Sequence, residues 1–460
     1  MSYGVFIERG LQDWQILQQY DGSSEITLYG KWADPEKTNS ALVYAKVVKE
    51  DTNETVIPWT ECELLTNNQW KATLSVPVGG LYRIETALKT GERDMEHAIR
   101  GDMRHHIGVG DVFVIAGQSN SAGYGKDTIY DPPELGVHIL KNNGNWGLAS
   151  HPLNDTTDTV HEINMESINP GHSPYLNFAK KIKRECNLPI GLLQCSLGGS
   201  SLSQWNPEES GELYRNMLEI IIKQGTRIRG VLWYQGCSDV VKGLCESYLE
   251  RFKEFVNALR KDLRNDKLPF FTVQLNRFVA EMEPWGMDDE GWAIVRNAQR
   301  IAAREISDVY VIPTLDIPLS DNIHNSSSGN MIIGERLARM VLEKIYMKDS
   351  ATGTPDIKRA VKIEKRTAEL EFEGVKGSLY AFDLPPERLP IEVTDASGHN
   401  RVLDYFINEN KITLKLEREI AKNGRVNCCH QANPSVNPPV DLEGHIPLLS
   451  FYGVKIEGIN

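Results

Sequence analysis

The 460-residue chain has no apolar run approaching the ~20 residues that a membrane-spanning helix requires. A helical membrane protein is thereby excluded. It also has no cluster of Lys and Arg, and its formal net charge is -13. Phosphate recognition needs concentrated positive charge, so a nucleic-acid partner is excluded as well. An acidic balance favours solubility and suits a neutral substrate. The seven cysteines are an odd number, without metal-ligand spacing or a disulfide framework. Cys428 and Cys429 are adjacent and cannot easily bridge within the pair. A reduced, cytoplasmic chain is the expectation. Met1-Ser2-Tyr3-Gly4 does not open a basic stretch followed by an apolar one, so no secretory signal is expected. There is no low-complexity block and no solenoid repeat. Neither a metal nor a cofactor is expected.

What is present divides into three zones, and the length suits two or three domains. Residues 1–105 read as a β-sandwich-like domain. Gln69-Trp70-Lys71-Ala72-Thr73-Leu74-Ser75-Val76 alternates apolar and polar residues, Pro77 to Gly80 turns, and Leu81 to Glu85 resumes. Further strands are expected at 26–30 and 41–47. Residues 106–347 alternate strand and helix. Short apolar runs at 112–116, 190–194, 230–234, 270–275 and 309–315 read as five buried strands. Tyr248, Phe252, Phe255, Val256, Leu259 and Leu263 recur at helical spacing over 246–262. Ser173 is a candidate cap for a helix carrying Leu176, Ala179 and Ile182, and two more helices are expected at 211–224 and 328–346. An α/β domain with a mostly parallel five-stranded sheet follows. Residues 347–355 read as a linker, and 348–460 as a C-terminal β-rich domain.

Open α/β sheets bind ligands beyond the C-terminal ends of their strands. The strand at 112–116 is followed by Gly117-Gln118-Ser119-Asn120. The next is followed by Cys195-Ser196-Leu197-Gly198-Gly199-Ser200-Ser201, then Trp205. The third leads into Gln235-Gly236-Cys237-Ser238-Asp239, and the last into Asp316 and Ser320-Asp321-Asn322-Ile323-His324. Alone, each is as consistent with a turn, a cap or a buried tryptophan as with a site. Together they hold the parts for acyl transfer: a hydroxyl, a base, a carboxylate and backbone donors. Ser119 is the candidate nucleophile, His324 its base, and Asp321 the partner that fixes the imidazole tautomer. The Ser119 and Gly199 N–H groups and the Gln235 amide are candidate oxyanion donors, each worth about 2.7–4 kcal/mol in comparable sites. Gln118, Gly198 and Trp205 are candidate substrate contacts, Trp205 as a stacking surface. Cys237 has no base nearby in sequence and reads as a buried thiol.

Asp111 to Asn120 resembles the first block of the SGNH hydrolases, in the branch of sialate O-acetylesterases and similar carbohydrate acetylesterases. Pro189 to Ser200, Trp233-Tyr234-Gln235-Gly236, and Asp321 to His324 with Gly334-Glu335-Arg336-Leu337-Ala338 resemble its later blocks, in order. Gly110-Asp111 and Gly444 to Phe451 resemble that branch's flanking regions. The resemblance implies a three-layer, flavodoxin-like SGNH domain flanked by β-rich regions. It implies hydrolysis of O-acetyl esters on mono- or oligosaccharides, with Ser119, His324 and Asp321 as triad. Acetylated sialic acid and acetylated xylan or other hemicellulose oligosaccharides are the substrates in view. A non-catalytic carbohydrate-binding protein on the same scaffold is the alternative of another class. Some positions depart from the family pattern: Cys237 replaces a glutamate, Ser121 a methionine and Asn325 a proline. Ser121 is expected to be a packing difference.

Overall fold

The computed structural model describes residues 3–34, 40–92, 94–168, 170–350 and 353–458. Ala351 and Thr352 of the expected linker lie outside the described residues. The N-terminal region pairs two antiparallel sheets around an apolar core. One sheet runs Gly4–Arg9, Ser23–Ala33, Gln69–Pro77, Glu63–Leu64. The other contains Leu42–Lys49, Thr55–Glu61 and Gly79–Lys89. The period-two pattern read at 69–76 is realised: Trp70, Ala72, Leu74 and Val76 point inward onto Ile26, Leu28, Val43 and Ile84.

The second sheet does not end there. Its strand Ile99–Gly117 pairs antiparallel with Gly79–Lys89 along its first part. Beyond Asp111 it pairs in parallel with Ile190–Gln194 on one side and, from Phe113, with Gly230–Tyr234 on the other. The expected boundary near 105 therefore falls within one strand. The parallel ladder continues through Phe270–Val273 and Val309–Ile312. A strand not expected, Val137–Leu140, extends the parallel ladder beside Ile190–Gln194, and Trp146–Leu148 closes that edge antiparallel. In this mixed α/β body the first four apolar runs are buried throughout, and the fifth, on the edge strand Val309–Ile312, leaves Tyr310 half-buried.

Helices Tyr175–Cys186, Glu212–Lys223, Tyr248–Asp262 and Ser327–Lys344 form close to expectation. Ser173 is not a cap; its buried hydroxyl has no protein partner, and Pro174 takes the N-cap position. A fifth long helix, Asp289–Glu305, was not anticipated. It is capped by Asp288, which accepts the Gly291 N–H at 2.7 Å. Its buried face carries Arg296, Gln299 and Arg300 among apolar residues, which breaks the apolar stripe that periodicity detects.

The C-terminal region is an eight-stranded sheet, largely antiparallel, with its own apolar core around Leu370, Val393, Leu414 and Phe451. It is tied to the central body by polar contacts. Arg300 pairs with Asp356 at 3.2 Å, and Gln274 exchanges two hydrogen bonds with the Ser450 backbone at 3.0 and 2.8 Å.

Candidate active site

Gly117 ends its strand with φ +131°, and a Cβ there would lie 2.3 Å from the Tyr234 carbonyl oxygen. Glycine is thus required where the chain turns off the sheet against its neighbour. The helical turn Ser119–Ala122 follows and sets Ser119 at the strand's C-terminal end. His324 comes from the loop between Val309–Ile312 and Ser327–Lys344. Its Nε2 stands 2.9 Å from Ser119 Oγ, and its Nδ1 stands 2.7 Å from Asp321 Oδ2. The other Asp321 oxygen accepts the backbone N–H groups of Ile323 and His324 at 2.9 and 2.8 Å. Burial pushes the Asp321 carboxyl up, but these N–H groups and the imidazole outweigh it, and the group lies below its ordinary value. An ionised Asp321 holds the proton on Nδ1, which leaves Nε2 free to accept from the serine hydroxyl.

Asn120 joins the two loops. Its Nδ2 donates to the Ile323 carbonyl at 3.1 Å, and its Oδ1 accepts the Asn325 N–H at 3.0 Å. Asn325, in the place of the family's proline, is fully buried and accepts from Asn276 Nδ2 at 2.7 Å. Asp316 is held by Arg336, with contacts of 2.8 and 2.5 Å, so of the two acidic residues past the last strand only Asp321 reaches the imidazole. Ser121 is more than a packing difference: its buried hydroxyl is bonded to Tyr175, Ser196 and the Ala116 carbonyl.

Two of the anticipated contacts are corrected. Trp205 is fully buried, edge-on to Trp233, with its Nε1 donating to Ser200 Oγ at 3.0 Å; it presents no stacking surface. Gln235 is also fully buried, and its Nε2 donates to Ser200 O at 3.2 Å and Asp239 Oδ2 at 2.6 Å. Both amide hydrogens are spent, so none remains for an oxyanion. Gln118 and Gly198 line the cavity as anticipated. Gln118 Oε1 accepts the Gly236 N–H at 2.9 Å, which leaves its Nε2 as a cavity-lining amide. The Gly199 N–H carries no backbone hydrogen bond, and the residue sits at φ +69° with open space where a Cβ would be. Glycine is needed there for its backbone conformation, not for clearance. Clearance matters at Gly198, where a Cβ would lie 2.6 Å from the Tyr124 hydroxyl. Burial pushes the Cys237 thiol up to about 12, so it stays protonated and inert at neutral pH.

The cavity encloses about 680 Å3, with Ser119 and His324 on its wall. Several lining residues were not read from the sequence. The Tyr124 ring stacks on the His324 imidazole, centroids 4.8 Å apart. The Tyr124 hydroxyl donates to Glu166 Oε2 at 2.7 Å, and Glu166 Oε1 accepts from Gly198 N at 2.8 Å and Asn154 Nδ2 at 2.9 Å. Glu166 thus joins the glycine loop to the ring that braces the histidine. Phe278, Ala280, Trp285 and Met287 form an apolar wall supplied by the long segment after Phe270–Val273. Their available signal was a tryptophan, Trp285-Gly286, in a loop past a strand end.

Away from the cavity, Asp131, His151 and His172 bring ligand atoms within 4.8 Å of one another, the one set among the described residues that could hold a metal ion. Both imidazoles and the Lys180 ammonium contact the Asp131 carboxylate. Burial works against the charge, but these partners prevail and keep Asp131 well below its ordinary range.

Residues 109–343 match the family described as carbohydrate esterase, sialic acid-specific acetylesterase. A probable carbohydrate esterase of Arabidopsis thaliana is 31% identical over 254 residues, half of this chain and 90% of that protein. The crystal structure of a carbohydrate acetylesterase from Xanthomonas citri shares the fold over 97% of this chain and 99% of its own, with a TM-score of 0.66 at 19% identity. A crystal structure of an Arabidopsis thaliana protein aligns over 51% of this chain and 98% of its own, at 27% identity and a TM-score of 0.44.

Proposed function

We propose a reaction from a premise and a geometry: the chain belongs to the sialic acid-specific acetylesterase family of carbohydrate esterases, and its Ser119, His324 and Asp321 form one relay on a cavity wall. The chain is a carboxylic ester hydrolase, and its reaction is removal of O-acetyl groups from a carbohydrate. The parallel sheet with helices around it is read as the three-layer SGNH arrangement, with β-rich flanks at 1–105 and 348–460.

In the first step Ser119 Oγ attacks the acetyl carbonyl while His324 Nε2 takes its proton. Asp321 stabilises the imidazolium as it forms. The oxyanion is held by the Ser119 and Gly199 N–H groups, with Gln118 Nε2 in the role expected of Gln235. His324 then protonates the sugar oxygen, which leaves as a hydroxyl. In the second step a water gives its proton to His324 and attacks the acetyl-serine, and as the bond to Ser119 Oγ breaks His324 returns that proton to the serine and acetate departs. Acetylated sialic acid and acetylated hemicellulose oligosaccharides pose the same chemistry to this relay.

The observation that carries the reading is the unbroken line from Asp321 through His324 to Ser119, with contacts of 2.7 and 2.9 Å. Ser119→Ala is expected to lower turnover of p-nitrophenyl acetate by at least ~10³-fold with an unchanged circular dichroism spectrum. Near-parental turnover in that variant would end the assignment.

A further inference from the structure

We infer that the cavity selects neutral acetylated sugars over carboxylated ones, with Trp285 as the surface on which the sugar ring lies. This rests on the esterase reading and names the substrate class of the same site. Among the described residues, the cavity wall carries, besides the His324 imidazole, the carboxyl groups of Glu166 and Asp321 and no Lys or Arg. Lys126 and Arg277 adjoin lining segments, but neither lines the cavity. Lys126 instead lies over the Tyr124 ring, 5.3 Å from its centre. A sialate or uronate would bring a further carboxylate beside these two, with no lining Lys or Arg to meet it. A neutral sugar incurs no such repulsion.

Part of the wall is apolar. Phe278 and Met287 line it, and Ile168 and Trp285 stand at its mouth, 61% and 65% exposed. Trp285 is the most exposed tryptophan of the described residues. The fold leaves this ring uncovered at the one cavity that holds the relay. A pyranose has C–H faces and a rim of hydroxyls, which suits a broad apolar ring with one polar edge. Trp285 also takes the place that Trp205, sealed in the core, does not fill.

The test compares three acetylated sugars on the full chain: an O-acetyl methyl xyloside, an O-acetyl methyl glucuronide and 9-O-acetyl N-acetylneuraminic acid. p-Nitrophenyl acetate reports the relay independently. The xyloside is expected to show kcat/KM at least about tenfold above both acids. Trp285→Ala is expected to lower kcat/KM on the xyloside, chiefly through KM, about tenfold more than on p-nitrophenyl acetate. Met287→Lys, which adds a cation to the wall, is expected to raise the ratio of glucuronide to xyloside hydrolysis. Hydrolysis of either acid as fast as the xyloside overturns the inference while leaving the relay standing. So does an equal loss on both esters in Trp285→Ala. Inactivity on p-nitrophenyl acetate and on every sugar breaks the esterase reading itself, and the inference with it.

Discussion

The two ends of the central sheet are closed in opposite ways. At the end where strands begin, Asp111 is fully buried and sealed from two sides: Gln18 and Gln19 of the N-terminal region donate to one oxygen at 2.6 and 3.3 Å, and Tyr346, just past helix Ser327–Lys344, donates to the other at 2.5 Å. At the end where strands finish, polar groups are left facing a cavity, and the C-terminal region grips the segment that walls it. Arg296 is the grip. It is fully buried, and its guanidinium donates to the carbonyls of Leu275 and Asn276 on the cavity segment and of Gln431 and Ala432 on the C-terminal region. One end is sealed for stability, and the other is buttressed so that it can stay open.

Breaking the buttress gives the largest effect. Burial lowers the Arg296 pKa to about 10, and the group remains a cation at neutral pH, met by carbonyl oxygens. Arg296→Met would strand those carbonyls and is expected to cost about 3–5 kcal/mol, read by chemical denaturation. Because the Phe278 to Met287 wall hangs from the same carbonyls, KM for the acetylated sugar is expected to rise in the fraction that stays folded. A loss of stability with unchanged KM would show that the wall holds its place without the C-terminal region.

The opposite end supplies the contrast. Asp111→Asn keeps the shape but removes acceptor capacity from one position that receives three hydrogen bonds. A loss of about 1–3 kcal/mol is expected, with kcat and KM on p-nitrophenyl acetate at parental values. A change in kcat there would mean that the two ends communicate along the strand Ile99–Gly117, and the contrast would fail.

The same division explains what the sequence disclosed. Apolar runs end where polar residues begin, so the five strands and the Ser119 and His324 loops could be read directly. Residues whose role depends on which way a side chain turns could not. Trp205 and Gln235 sit in the right loops but fold back into the sheet's packing, where Ser200 and Asp239 occupy their donors. Helix Asp289–Glu305 escaped because its buried face includes a cation whose partners are carbonyls far along the chain. The strand Val137–Leu140 is too short to announce itself. Tyr124, Glu166 and Trp285 come from segments without periodicity, and only the folded loops bring them to His324 and Gly198.

The smallest effect sharpens the contrast from within the open end. Burial holds the Glu166 carboxyl above its ordinary value, offset in part by hydrogen bonds from Tyr124, Gly198 and Asn154. For an acid with a raised folded pKa, the folded state binds the proton more tightly than the unfolded state. Stability therefore falls as pH rises from the unfolded pKa through the folded one, and the full deficit is present above the folded value. Glu166→Gln removes that deficit. The new amide oxygen can still accept from Gly198 and Asn154, and its nitrogen can donate to the Tyr124 oxygen. The melting temperature at pH 7 is expected to match or exceed the parent's, with the difference vanishing below the ordinary carboxylate range. Turnover is expected to fall, by about tenfold or less, because the charge behind the Tyr124 ring no longer favours the imidazolium of His324. A drop of several degrees at pH 7 would mean that the hydrogen bonds to the carboxylate outweigh its burial, and Glu166 would then belong with the sealed end as a purely structural charge.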